Sequence, residues 1–473
     1  MSSTTDNEYG SQSTHKPSLE ALPTEIILQI LCELTDLDAL YNLIRASPVS
    51  SRIFDHHAHE VMETVLPMCL LKIEIQHLVR GVILARSSAL PFNNLHDFKE
   101  LFEEQTLYTH DAFRSPPHTL PSESLTAASL ESIRSGLATA CRISALTYTC
   151  LEFYLERLRD KSFFNPYHCG IRQYPLYIFL RNVTHSWTRS VGKPVRANYD
   201  RPPSWVEEMR VARVLWMMQL VGEVQRLAIR DPDGLGWSPE DIEEVARMTP
   251  EGFVTCGMSS GVFTISGGCP YFEGMEEEGM TVYDYLQQLG GEEGESSQRS
   301  LIDYYRLPRP PAIEARSWTT QKPKPCMRLT KFGNVYDLGN TFISADPPIE
   351  SLELLIRDPH PKLPLPQVSW YSGQRPMDAD TSNLGVDCHR NLAFRSADSP
   401  LPNVQFDVFR PFGFALWDDT RMRSMRLVGK HHDSSFTAAQ FFVWRSLVPE
   451  EEIARSVAYI EIYRKHEFRL GEA

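Results

Sequence analysis

Apolar residues recur at three- and four-residue steps through most of the chain, the spacing of amphipathic helices rather than of strands. From Leu19 to about Leu84 the pattern is helical and dense in aliphatics, and a turn-rich loop follows at Ser87 to Asn94. After a second loop carrying Pro116, Pro117 and Pro121, the positions Leu130, Ile133, Leu137 and Cys141, then Leu151, Tyr154, Leu155 and Leu158, predict a long helix. The clearest start is Ser204 with Glu207 three residues on, a capping-box pattern. Trp205, Met209, Ala212, Trp216, Leu220, Val224 and Leu227 then mark one apolar stripe, ended by Asp231-Pro232-Asp233-Gly234. Ser238 before Pro239 starts the next helix, because proline's missing N–H has no partner in a first turn anyway.

The texture changes beyond residue 250. Phe253–Cys256 and Val262–Ile265, divided by a Gly/Ser turn, predict a short hairpin. The run from Glu273 to Glu295 holds eight acidic residues and no basic one, and reads as a solvated acidic loop. Residues 305–326 and 347–366 are rich in proline and predict extended connections. Helical texture returns at Asp419–Leu427 (with Asp418 as cap), Phe436–Leu447 and Pro449–Lys465. No repeat of fixed period occurs. The expected fold is mainly α, with a few short strands.

Composition narrows the functional classes. The chain has 473 residues, long enough for about three domains or for one small module on a large one. Forty-seven basic against 61 acidic side chains leave a net charge of −14, a poor general match to nucleic acid or to anionic lipid. No stretch has 18 uninterrupted apolar residues, so no membrane span is predicted. Met1 to Lys16 is polar and predicts no secretory leader. The nine cysteines are scattered and never in C-x-x-C spacing, the usage of a reduced compartment. The expected location is cytoplasmic or nuclear, and the sequon at Asn182-Val183-Thr184 is then a chance match.

Enzyme motifs fail on context. Gly257-Met258-Ser259-Ser260-Gly261 fits G-x-S-x-G, but strand-like residues rather than a helix follow it. Asp231 and Asp233 lack the rest of a calcium loop, since Leu235 and Ile242 stand where ligands are needed. His56, His57 and His59 read as exposed polar positions, and Arg421, Arg423, Arg426 and Lys430 as a basic surface face. No phosphate-cradling glycine loop occurs. No catalytic residue, metal or cofactor is therefore expected.

One N-terminal segment carries more information. Leu22-Pro23-Thr24-Glu25-Ile26 opens a helix whose apolar positions Ile26, Ile27, Ile30, Leu31 and Leu34 cover more than one side. Asp36 or Asp38 can cap a second helix with Leu40, Leu43 and Ile44, and Ser47-Pro48 starts a third with Val49, Ile53 and Phe54. So small a unit cannot bury all of this internally, and the excess must face the rest of the chain or another protein. Bottom-up, this is a helical docking module.

The string Leu-Pro-x-Glu-Ile, Ile30-Leu31-x-x-Leu34, Asp36 with Leu40, and Ala46-Ser47 resembles an F-box, over about residues 17–60. The chain as a whole, including Phe412-Gly413-Phe414-Ala415-Leu416-Trp417-Asp418, resembles large F-box-like proteins of filamentous fungi. Ser47-Pro48-Val49 and the lack of a tryptophan near Ile53 depart from the family pattern. The resemblance implies a three-helix F-box that binds a Skp-type linker of a cullin ubiquitin ligase, while the rest of the chain selects a protein substrate. It assigns linker contact and packing to Leu22, Pro23, Glu25, Ile26, Ile30, Leu31, Leu34, Leu40 and Leu43. The expected organisation is an unstructured stretch 1–15, the F-box-like module 16–62, a helix-rich domain 66–300, and a Pro-rich connection with a C-terminal helical part 301–473 packed on it. A second reading stays open: an interaction protein without a ligase role, in which Leu22, Ile26 and Ile30 are buried against residues beyond 60.

Overall fold

A computed structural model describes residues 19–99, 120, 123–159, 162–165, 193–196, 201–248, 270–291, 305–312, 383–393, 404–425, 427, 443–455 and 458. These residues are mainly helical. The N-terminal part follows its local signals. A single 3-10 turn, Leu19–Ala21, leads through Pro23 into α1 (Thr24–Cys32). Pro23 is the cap itself, at φ −54 and ψ 147, one position earlier than a first-turn proline. Asp36 caps α2 (Leu37–Ala46) by accepting from the Asp38 N–H at 3.0 Å. Ser47 caps the third helix by accepting from the Ser50 N–H at 3.2 Å, with Pro48 as its first residue. The third helix, expected to close a module at residue 62, runs on to Met68 (α3, Pro48–Met68), with a kink where His57 sits at φ −123 and ψ 21.

α1 packs on α3, and α2 packs on both α3 and a later helix, α6 (Leu130–Arg159). Between them come α4 (Ile73–Arg86) and the short α5 (Leu95–Lys99). α4 packs along α7 (Trp205–Arg230), the helix on which α6 also lies, and which the one-turn α8 (Pro232–Leu235), α9 (Pro239–Arg247) and α10 (Pro270–Gly291) complete. The capping box that starts α7 is formed: the Ser204 hydroxyl accepts from the Glu207 N–H, and the Glu207 carboxylate accepts from the Ser204 N–H at 2.9 Å. The expected stripe of α7 is buried, but so is nearly the whole circumference, including Val211, Leu215, Met218, Arg210, Gln219 and Gln225. A helix apolar or satisfied on every side belongs in the centre of a domain, and α7 is the axis of this one.

Two expectations of solvated charge are corrected. The acidic run lies largely on α10, and two of its carboxylates are taken inward. Glu278 pairs with Arg213 and with Arg210 at 3.4 Å, and accepts from the Asn383 side-chain amide at 3.0 Å. Glu277 accepts from Arg410 at 2.6 and 3.1 Å. Burial pushes the Glu277 carboxyl above its usual range, against the pull of Arg410. Arg421, expected on a basic surface face, is buried on α12 (Asp419–Ser424) against Glu207. Its partner lies more than 200 residues away along the chain, which no local pattern reveals. The helix expected over Asp419–Leu427 ends at Ser424, with Asp418 as its cap.

The segment Phe412–Asp418 is core. Phe414 and Trp417 are fully buried, and the Phe414 ring meets Trp444 edge-on at 5.1 Å. Gly413 has φ 70, a conformation that suits glycine, and lies against the Trp417 indole. α11 (Leu384–Ala393) packs beside α10 and α12. The strands expected at Phe253–Cys256 and Val262–Ile265, and the proline-rich stretch 347–366, lie outside the described residues. Among the described residues, one antiparallel pair forms elsewhere: β1 (Ser162–Asn165) with β2 (Lys193–Arg196), Ser162 opposite Arg196.

Candidate functional site

The nine residues assigned to partner contact do not share one environment. Leu22 and Ile26 are exposed, at 39% and 43%, and Pro23 and Glu25 beside them are also exposed. Ile30, Leu34 and Leu43 are half-buried, the last two packed on the core. Leu31 and Leu40 have no exposed surface at all. The module is thus split into an outward stripe, a rim and an inward face.

Local geometry places the outward stripe. The Leu22 N–H donates to the Leu19 carbonyl at 3.2 Å, closing the turn that delivers Leu22 to the start of α1. The Ile26 and Ile27 N–H groups both reach the Pro23 carbonyl, at 3.1 and 3.2 Å. Leu22, Ile26 and Ile30 then follow at four-residue steps, one helical row. Ile27 and Leu31 form the opposite row against α3. The sequence shows Ile27 only as part of a broad apolar surface; its full burial, with Leu31 one turn on and α3 packed against α1, makes it the inward anchor. Glu25 in the first turn is favourably placed near the positive end of the helix.

The second and third helices are held from behind. Leu37, Leu40 and Ile44 are buried on the side that faces α3 and α6. Ile53 and Phe54 are buried as well. The Arg134 guanidinium from α6 lies 5.9 Å from the Phe54 ring, and donates to Asp55 and to the Ser51 hydroxyl, each at 2.6 Å. Within residues 19–62 the large apolar side chains left exposed are Leu22 and Ile26, in the leading turn and the first helix.

Two of the three histidines expected as exposed polar positions are half-buried and have partners within the fold. The His57 imidazole pairs with Glu60 at 3.0 Å, and His59 holds the Ala128 carbonyl at 2.9 Å. Among the described residues no group of three or more histidines, cysteines and carboxylates is placed to hold a metal. Among them, too, no helix is long and apolar enough to cross a membrane. Asp231, the calcium-loop residue of the sequence, caps a turn by accepting from the Gly234 N–H at 3.1 Å. What the stripe offers is contact: fully burying an exposed leucine or isoleucine side chain contributes about 1.5–3 kcal/mol, and with Leu22 and Ile26 39% and 43% exposed each has less than about half of that left to gain. No protein-family model matches the chain, and no curated protein and no solved structure matches it either.

Proposed function

We propose that the chain is a substrate-recognition adaptor of a Skp–cullin–F-box type ubiquitin ligase, docking on the linker through α1. The observation that carries this reading is the exposure of Leu22 and Ile26, the two apolar residues of the Leu-Pro-x-Glu-Ile string, on a helix whose other face is anchored. Single exposed aliphatic side chains are common on protein surfaces; what favours docking is that these two stand in one helical row inside that string. Leu22, Pro23, Glu25 and Ile26 supply the central contact, Ile30, Leu34 and Leu43 its rim, and Leu31 and Leu40 hold the helices in place. The adaptor does no chemistry; it raises the local concentration of a bound protein near the ligase.

The second reading, an interaction protein with these helices in its own core, is favoured by the packing of α2 on α6 and by the burial of Leu31 and Leu40. Of its requirement that Leu22, Ile26 and Ile30 be buried, Leu22 and Ile26 are exposed and Ile30 is half-buried. The two readings part on one experiment, co-purification of the full chain with a recombinant Skp-type linker. Wild type is expected to retain the linker, and a Leu22→Glu/Ile26→Glu variant to lose it with an unchanged circular dichroism spectrum. Because both positions are exposed, the variant's stability is expected within about 0.5 kcal/mol per site of wild type. Absence of linker binding by folded wild type at micromolar concentration, or equal binding by the variant, sinks the adaptor reading.

A further inference from the structure

The proline-rich stretch that begins at residue 305 is described over residues 305–312, which form neither helix nor strand. Its sequence leaves the backbone little freedom. The rings of Pro308, Pro310 and Pro311 fix φ near about −65°. Leu307, Arg309 and Pro310 each precede a proline, which holds them extended. Residues 307–311 are thus all confined to the polyproline II region, a helix of about three residues per turn without internal hydrogen bonds. Exposure follows that period. In the first row Leu307 is 4% exposed and Pro310 is half-buried. In the second, Arg306, Arg309 and Ala312 are all exposed; in the third, Pro308 is half-buried and Pro311 exposed. The start of the segment is pinned to the body. The Tyr305 N–H donates to the Gln225 side chain of α7 at 3.3 Å, and Arg142 of α6 donates to the Leu307 carbonyl at 3.4 Å. Beyond that point residues 308–312 make no hydrogen bond among the described residues, and Arg309 has no ion pair there.

We infer that residues 308–312 are a recognition motif for a partner domain whose groove is lined by aromatic side chains and rimmed by carboxylates, the binding face of SH3- and WW-type domains. Pro308-Arg309-Pro310-Pro311 is a P-x-x-P string, the kind that such grooves accept. The row of Leu307 and Pro310 holds the segment on the body, and the other two rows are left for the partner. Aromatic rings pack on the pyrrolidine rings of Pro308 and Pro311, and an indole N–H donates to an unpaired carbonyl between them. A rim carboxylate pairs with the Arg309 guanidinium, which is why an acidic rim is required. Pinning at Tyr305 and Leu307, with φ already fixed at three positions, reduces the ordering that binding must supply. The inference does not rest on linker docking at α1.

The test is surface plasmon resonance of the immobilised full chain against purified SH3 and WW domains in two groups, with and without carboxylates on the groove rim. At least one acidic-rim domain is expected to bind in the micromolar range, more weakly as salt is raised, and the neutral-rim group at least tenfold more weakly. Pro311→Ala and Arg309→Glu, both at exposed positions, are each expected to weaken that binding at least tenfold with an unchanged far-ultraviolet spectrum and thermal midpoint. The Leu22→Glu/Ile26→Glu variant is expected to bind the domain as wild type does, which separates this motif from linker docking. Folded chain that binds no domain of either group, or binding that Pro311→Ala leaves intact, overturns the inference. Equal affinity for neutral-rim domains, or an undiminished Arg309→Glu variant, overturns the acidic rim.

Discussion

Glu207 is fully buried and every oxygen lone pair it offers is used. One oxygen accepts from the Asp418 N–H at 3.0 Å and from Arg421 Nε at 2.7 Å; the other accepts from the Ser204 N–H and from Arg421 Nη2, both at 2.9 Å. Arg421 also donates to the Arg201 and Pro202 carbonyls and lies 4.9 Å from the Trp417 ring centre. A buried pair of this kind adds little over an apolar substitute of the same volume, but removing one partner strands the other. Arg421→Met is therefore expected to lower the urea-unfolding free energy by about 3–5 kcal/mol. His77 is a contrasting case: buried on α4, with neither ring nitrogen hydrogen-bonded. Burial first, then the Arg80 charge, lowers its pKa to about 4. The fold thus favours the neutral ring, and protonation of the unfolded chain below about pH 6.5 takes stability away as pH falls toward 4. His77→Leu is expected to be more stable than wild type at pH 7.5, and its advantage to widen by about 2 kcal/mol by pH 5. An advantage that stays flat between those pH values would show that the folded ring takes up its proton as readily as the unfolded one.

At the scale of elements, caps were the most legible feature. Asp36, Ser47, Ser204, Ser238 and Asp418 all accept from a backbone N–H two or three residues on, and a bond that local is written in local sequence. The environment of a helix is not. The stripe on α7 was visible because apolar residues report themselves; the burial of Arg210, Glu223 and Gln225 was not, because their partners come from distant segments. Arg86 of α4 reaches Glu223 at 2.7 Å, and the Gln225 amide reaches the Val245 carbonyl of α9 at 3.2 Å. The acidic run of α10 was misread for the same reason, since Arg410 and Arg213 lie far off in the chain. α7 also needs a bare position: a Cβ on Gly222 would meet the Tyr305 carbonyl oxygen of the extended segment 305–312. Backbone cannot yield as a side-chain tip can, so Gly222→Ala is expected to cost about 1–3 kcal/mol despite alanine's better helix propensity. Thermal unfolding of that variant measures the balance, and an unchanged midpoint would contradict the close approach.

For the whole molecule, surface features differ in how far sequence could reach them. The outward row of α1 sits inside one short string, so Leu22, Pro23, Glu25 and Ile26 were identifiable before any packing was known. Ile30, Leu31, Leu34, Leu40 and Leu43 were identifiable as apolar, but which of them turn inward depends on α3 and α6. A cleft lined by Asp36, Leu70, Thr147 and Glu208 was invisible in the sequence, because these residues come from four separated stretches and become neighbours only through the fold. The Thr35–Asp38 stretch, which leaves α1, lines this cleft. The packing of α2 on α6 has a consequence for anyone who would move the N-terminal helices elsewhere. Their exposed row is portable in sequence but not in structure: cut out at residue 62, the segment would keep Leu22 and Ile26 and lose the wall that Leu37, Leu40, Ile44 and Phe54 lean on. The remaining body, from residue 66 onward, would carry the matching bare patch on α6. Neither fragment is a spare part, and a graft of this helix triplet onto another protein must bring α6 with it.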